Sequence, residues 1–221
     1  MKLQIESNIV KYILRNAYFI NGTAYAGKST MVRLLSEKYG GLMCGENYHD
    51  ALRGGIDSVH QPALSYFETM SGWQEFISRS PREYTKWLDD GSREAADLEL
   101  MRLVQLSAQG KKLFVDTNIS PEILREISDY SHVAIMLSPQ SMSVERFFDR
   151  NDSDKQFILS KINEAPDPKA AMDNYRECLK LINSREVYDE FAACCFFTYI
   201  RDESSTIEGA LAAIERHFGL A

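Results

Sequence analysis

Nine consecutive residues, Gly22-Thr23-Ala24-Tyr25-Ala26-Gly27-Lys28-Ser29-Thr30, fit G-x-x-x-x-G-K-[ST] at every fixed position and constrain the fold more than any other stretch. Such a loop works only where a buried strand passes directly into a helix. Gly22 and Gly27 reach backbone angles closed to other residues, so the loop can curl with successive N–H groups aimed at phosphate oxygens. Lys28 adds a point charge for the β- and γ-phosphates, and the Ser29 hydroxyl suits a Mg²⁺ ion. The helix behind it contributes the positive end of its dipole. Both flanks agree: Ala17-Tyr18-Phe19-Ile20 is a short apolar run of β-formers, and Met31, Val32, Leu34, Leu35 and Tyr39 recur at helical spacing.

The remaining chain repeats this alternation. Residues Ile5 to Arg15 predict a short amphipathic helix with Ile5, Ile9, Ile13 and Tyr12 inward. Leu42-Met43-Cys44 reads as a second strand and Lys112 to Val115 as a third, delivering Asp116-Thr117-Asn118 to the same edge. Between them, residues 57–108 predict helices broken near Gly72, Pro81 and Gly91, the last from about Ser92 to Gln109. Ser120-Pro121-Glu122 starts a capped helix. His132 to Leu137 is a fourth strand, and a helix holding Val144, Phe147 and Phe148 follows Ser138-Pro139. After the polar break Asn151-Asp152-Ser153-Asp154, helical patterns run from Gln156 to Asn163 and from Pro168 through Phe191. Cys194 to Ile200 reads as a fifth strand, with Cys194 and Cys195 on opposite sides. Ser205 to Phe218 closes the chain, with Ile207, Leu211, Ile214 and Phe218 on one face. Five strands separated by helices predict a parallel α/β sheet covered on both sides in a single domain.

Composition narrows the function classes. The 221 residues are 44% hydrophobic and 26% charged, as expected of a globular chain, and the net charge of −7 argues against a surface built to neutralise nucleic-acid phosphates. Lys11 and Arg15 interrupt the apolar N-terminal stretch, so neither a signal peptide nor a spanning helix is expected, and no membrane partner. Cys44, Cys178, Cys194 and Cys195 form no C-x-x-C pair, and His49, His60, His132 and His217 lack metal-ligand spacing. Unpaired thiols in a reduced, cytoplasmic setting are the expectation.

With Gly22 to Thr30, Asp116 after the third strand and Glu145-Arg146-Phe147-Phe148-Asp149-Arg150 after the fourth, the chain resembles the nucleotide-kinase-like branch of the phosphate-loop NTPases. That branch includes nucleoside, nucleoside-monophosphate, shikimate and antibiotic kinases. The resemblance implies a five-stranded parallel sheet in the order 2-3-1-4-5, a helical acceptor-binding insertion over about 46–109 and a short lid over about 145–165. It implies ATP and Mg²⁺ as cofactors, with the phosphates on Gly22, Thr23, Ala24, Tyr25, Ala26, Gly27, Lys28, Ser29 and Thr30. Ser29 and Asp116 would serve the metal. Arg146 and Arg150, four apart on one helix face, resemble lid arginines that stabilise charge on the transferring phosphoryl group. Glu46 resembles the carboxylate beside the acceptor hydroxyl, and Asp50 lies one helical turn further on. The loop Arg201-Asp202-Glu203-Ser204 resembles the one that packs against adenine.

The acceptor is a small molecule whose identity lies in a segment without a fixed motif. Trp73, Tyr84 and Trp87 can stack on a planar substrate or form core, and Arg79, Arg82 or Arg93 can hold an anionic group. Asn118 and Ile119 stand where many members of that branch carry an arginine after the acid, which counts against a nucleoside-monophosphate acceptor. The expected function is therefore an ATP- and Mg²⁺-dependent small-molecule kinase, against the alternative of a nucleotide-binding sensor. A guanine-reading N-K-x-D and a D-x-x-G switch are both missing, which disfavours a GTPase.

Overall fold

The computed structural model describes residues 5–145, 147–149 and 153–221. Its centre is β1 (Ala17–Gly22), flanked by β3 (Leu113–Asp116) and β4 (Val133–Leu137). With β2 (Leu42–Cys44) outside β3 and β5 (Phe197–Ile200) outside β4, all pairs are parallel and the order is β2-β3-β1-β4-β5. The α/β class, the five strands and their expected order are therefore those observed.

Burial on both faces explains why these strands read as unbroken apolar runs. Ala17, Phe19, Leu113, Val115, Val133, Ile135 and Leu137 turn to one side, where α1 (Ser7–Ile13), α5 (Pro81–Ser107), α6 (Pro121–Ile127) and α10 (Arg185–Ala192) cover them. Tyr18, Ile20, Phe114, Ala134 and Met136 turn to the other, under α2 (Lys28–Tyr39) and α11 (Ile207–His217). The strict alternation follows from the two-residue period of a strand. A third apolar cluster lies apart from the sheet, where α4 (Trp73–Ile77) and the first half of α5 meet α8 (Ser153–Asn163) and α9 (Pro168–Ile182). Short α3 (Tyr66–Thr69) and α7 (Gln140–Glu145) border it.

Several boundaries depart from expectation for identifiable reasons. Gly91 does not break its helix: α5 runs 27 residues, started by Pro81 and a Ser80–Glu83 capping box. A mid-helix glycine costs about 1 kcal/mol relative to alanine, and α5 offsets this by packing against α9 near one end and the sheet near the other. The expected helix from Pro168 through Phe191 is two, because Ser184 caps a new start by accepting from the Val187 amide. Cys195 has a left-handed φ of 65°, so β5 begins only at Phe197, with Cys194 buried and Cys195 exposed outside the strand. In α1, Ile9 and Tyr12 face solvent, while Val10, Ile13 and Leu14 meet the core; Ile207 of α11 is also exposed.

Gly22 is where the sheet and the first loop meet. Its φ is +127°, and a Cβ there would overlap the Met136 carbonyl far inside van der Waals contact. Gly22→Ala should therefore cost about 3 kcal/mol or more in urea denaturation or prevent folding. Gly54→Ala, with nothing within 4 Å of the added carbon, should stay within about 0.5 kcal/mol.

Candidate functional site

Positive φ values at Gly22 (127°), Tyr25 (69°) and Gly27 (98°) curl the segment between β1 and α2 over the carboxyl edge of the sheet. Its carbonyls are held from the β4 and β5 side. Ser138 Oγ and Ser143 Oγ donate to the Ala24 carbonyl at 2.7 and 3.0 Å, and Arg201 Nη1 donates to that of Tyr25 at 2.6 Å. The Ser138 amide also donates to Thr23 Oγ1 at 2.9 Å. With the Ala24 and Tyr25 carbonyls held on that side, the curled segment is a candidate anion nest, although the Gly22 and Thr23 amides are already taken by Asn21 Oδ1 and the Met136 carbonyl. Gly27 occupies the N-cap of α2 without a side-chain cap, leaving the helix start to face the same hollow.

Lys28 and Ser29 enter that hollow together. Lys28 Nζ donates to the Gly22 and Thr23 carbonyls, each at 3.2 Å, and Ser29 Oγ donates to Asp116 Oδ2 at 2.6 Å. This hydrogen bond joins residues 87 apart in sequence, and Asp116 is itself buried. An ammonium resting on carbonyls beside a hydroxyl–carboxylate pair fits a nucleotide's phosphates and their Mg²⁺. Among the described residues no group of three or more His, Cys, Asp or Glu is placed to hold a metal. A Mg²⁺ ion at Ser29 and Asp116 would thus need phosphate and water oxygens as well, which is its usual preference. On one side of the loop, Thr30, Met31, Tyr199, Arg201 and Ile207 line a cavity of about 100 Å³.

On the other side the chain behind β2 opens two larger cavities, of about 350 and 540 Å³. Glu46, Asn47, Phe67 and Trp87 line both, so they form one cleft divided by those side chains. Asn47 has a φ of 62°, and the turn after it, Tyr48–Gly55, is a 3-10 helix carrying His49, Asp50 and Arg53. Asp50 lines the smaller cavity, as does Asn118, two residues after the Asp116 that holds Ser29. The cleft therefore begins beside the metal-binding candidates.

Glu99 is a site residue that the sequence reading misses. It is buried on α5 and accepts from Thr117 Oγ1 at 2.6 Å, Tyr48 Oη at 3.1 Å and Asn118 Nδ2 at 3.3 Å. His49 is buried next to it, its Nδ1 without a hydrogen-bond partner and 3.9 Å from Glu99 Oε1. Glu99 thus ties the ends of β2 and β3 to α5 beneath the cleft. An acid between Ala95, Ala96 and Leu103 on the apolar side of a helix was the available signal. Its removal from water raises Glu99 above the ordinary carboxylate range against the lowering effect of its donors.

Of the arginines expected near an acceptor, none lines the cleft. Arg79 stacks on Tyr66, 3.7 Å from the ring centroid, in a separate cavity; Arg93 pairs with Asp90 at the surface; Arg82 is exposed. Arg146 and Arg150 lie outside the described residues. No helix of the described residues is long and apolar enough to cross a membrane. Comparison with protein-family models, curated proteins and solved structures gives no match to this chain.

The raised Glu99 carboxyl fixes the sign of a pH effect. Ionisation costs the folded state more than the unfolded chain, so this destabilisation is absent below about 4.5 and grows as pH rises toward the folded value. Replacing Glu99 with Gln should make the variant's melting temperature gain on the wild type's as pH rises above about 4.5. A gap independent of pH would show that Glu99 does not titrate as its burial demands.

Proposed function

We propose that the chain is an ATP- and Mg²⁺-dependent phosphotransferase that acts on a small hydroxyl-bearing molecule. The observation that carries this reading is the Ser29 Oγ to Asp116 Oδ2 hydrogen bond beside Lys28, directly under the positive-φ loop, with an acceptor-sized cleft opening next to it. The parallel sheet in the order β2-β3-β1-β4-β5 supports it, since the resemblance to nucleotide-like kinases implies that order.

The loop segment and Lys28 would hold the donor phosphates, with Glu46 lining the cleft on the acceptor side. Mg²⁺, when bound, neutralises charge on the β- and γ-oxygens. Ser29 and Asp116 would hold it. Glu46 accepts a hydrogen bond from the acceptor hydroxyl and takes its proton as the acceptor oxygen bonds to phosphorus. The bond from phosphorus to the β–γ bridging oxygen breaks, releasing ADP. Arg201 keeps the loop in shape through the Tyr25 carbonyl.

Lys28→Ala should lower acceptor-dependent ADP formation by about 10²-fold or more, with a melting temperature close to wild type. Glu46→Gln should lower kcat by about 10²-fold or more and leave the KM for ATP unchanged, because Glu46 is exposed and lies outside the loop. A wild-type protein that binds MgATP yet forms no ADP with nucleosides, nucleotides, sugars or aminoglycosides would instead be a nucleotide-binding sensor.

A further inference from the structure

The larger cavity of the cleft is walled by rings. Of its thirteen described lining residues eight are aromatic, and about 540 Å³ is room for a small-molecule ligand. Phe67 and Trp73 stack with centroids 5.3 Å apart, Phe157 meets Trp73 edge-on at 4.8 Å, and Trp87 stands edge-on to Phe67 at 5.5 Å. Three polar groups of this wall already have partners within the protein: Trp87 Nε1 donates to the Ala63 carbonyl at 3.0 Å, and the Tyr84 and Tyr175 hydroxyls meet at 3.2 Å. The cavity thus offers ring faces and edges, which suit a flat apolar body and not a polyol that needs many partners.

Charge excludes a second class. Glu46, Asp50 and Asp154 line the two cavities, against Arg53 and Lys155. Arg53 is held by Glu68 through Nε and Nη2 at 3.2 and 2.9 Å, and Lys155 lies over the Phe147 ring. Arg79 lines a neighbouring cavity, behind Ala63 and Trp87, together with Glu75 and Glu83. Among the described residues, Arg53, already held by Glu68, is the one arginine lining either cavity, so a phosphate or carboxylate on the acceptor would enter among carboxylates with no open guanidinium fork to receive it.

Resting on the phosphotransferase reading, we infer that the acceptor is an uncharged, ring-bearing alcohol. Its planar part lies among Phe67, Trp73, Trp87 and Phe157, and its hydroxyl reaches back to Glu46 and Asn47, the polar residues common to both cavities. The product gains the phosphoryl group on that hydroxyl, and the cavity's acidic residues then favour its release. The device is specificity by omission: among the described residues of the wall, none rewards a second negative charge or a ring of hydroxyls.

The protein carries its own reporter, because its two tryptophans, Trp73 and Trp87, both line this cavity. Tryptophan emission should be titrated, without nucleotide, with thymidine, adenosine, 4-hydroxybenzyl alcohol, thymidine monophosphate and glucose, and the same compounds offered with MgATP in an ADP-release assay. At least one of the uncharged ring alcohols should change the emission saturably and turn over at least tenfold faster than thymidine monophosphate or glucose. Phe157→Ala, which removes a ring 41% exposed and so spares the fold, should raise that compound's dissociation constant about tenfold and leave MgATP binding unchanged. Trp73→Phe keeps the wall and leaves Trp87 as sole reporter, which should still respond. Preference for the monophosphate or glucose, or an emission unmoved by every ring alcohol, overturns the inference while leaving phosphoryl transfer standing. Saturable binding of ring alcohols with no ADP from any compound instead removes phosphoryl transfer and keeps the cavity's chemistry.

Discussion

The approach of Gly22 to the Met136 carbonyl is the contact on which the rest of the site depends. Parallel pairing of β1 with β4 continues to Gly22, and the next amide, that of Thr23, donates to the same carbonyl at 3.0 Å. Only a residue without a Cβ permits the chain to leave the sheet there at φ +127°. The shape of the loop follows from that exit: Tyr25 and Gly27 continue the curl, Ser138 and Ser143 hold the Ala24 carbonyl at its back, and α2 starts at Gly27. The sheet supplies rigidity, since its strands are buried on both faces.

Around this frame the protein separates two kinds of environment. Beneath the loop the groups are polar and mutually satisfied, from Ser29 and Asp116 through Thr117 to Glu99 and Tyr48. Farther out, α4, α5, α8 and α9 form the third apolar cluster, rich in rings, and the cleft runs from one environment to the other. α5 is the mechanical link between them, since its first half belongs to the aromatic cluster and Ala96 and Leu103 to the sheet core. Motion of the helical layer relative to the sheet would be resisted by that helix and by the Glu99 hydrogen bonds at its middle.

Legibility in the sequence followed the range of the forces involved. The strands and most helix starts were readable because their signals are local: apolar runs for β1 to β4, and Ser120 and Ser80 with proline after them. Readings failed where a local signal was overridden or easily missed. Gly91 looks like a breaker but sits in a helix anchored at both ends, and Cys194-Cys195 look like strand but contain a left-handed turn. At Asn183-Ser184 a capping serine was hidden within a continuous apolar pattern.

The sequence by itself determined the loop from Gly22 to Thr30, the strand and helix that flank it, and the acid that ends β3, because backbone freedom, hydrophobic period and turn chemistry act over a few residues. Tertiary structure alone decided which distant groups meet. Ser29 reaches Asp116 across 87 residues and Tyr84 meets Tyr175 across 91. Glu99, one of several acids on α5, became the buried anchor of Tyr48, Thr117 and Asn118 only when α5 packed against the sheet. The arginines at 79, 82 and 93 were equal candidates as letters. Packing set Arg79 against the Tyr66 and Trp87 rings in a neighbouring cavity and left Arg82 and Arg93 exposed, so that the wall of the cleft fell largely to aromatic rings.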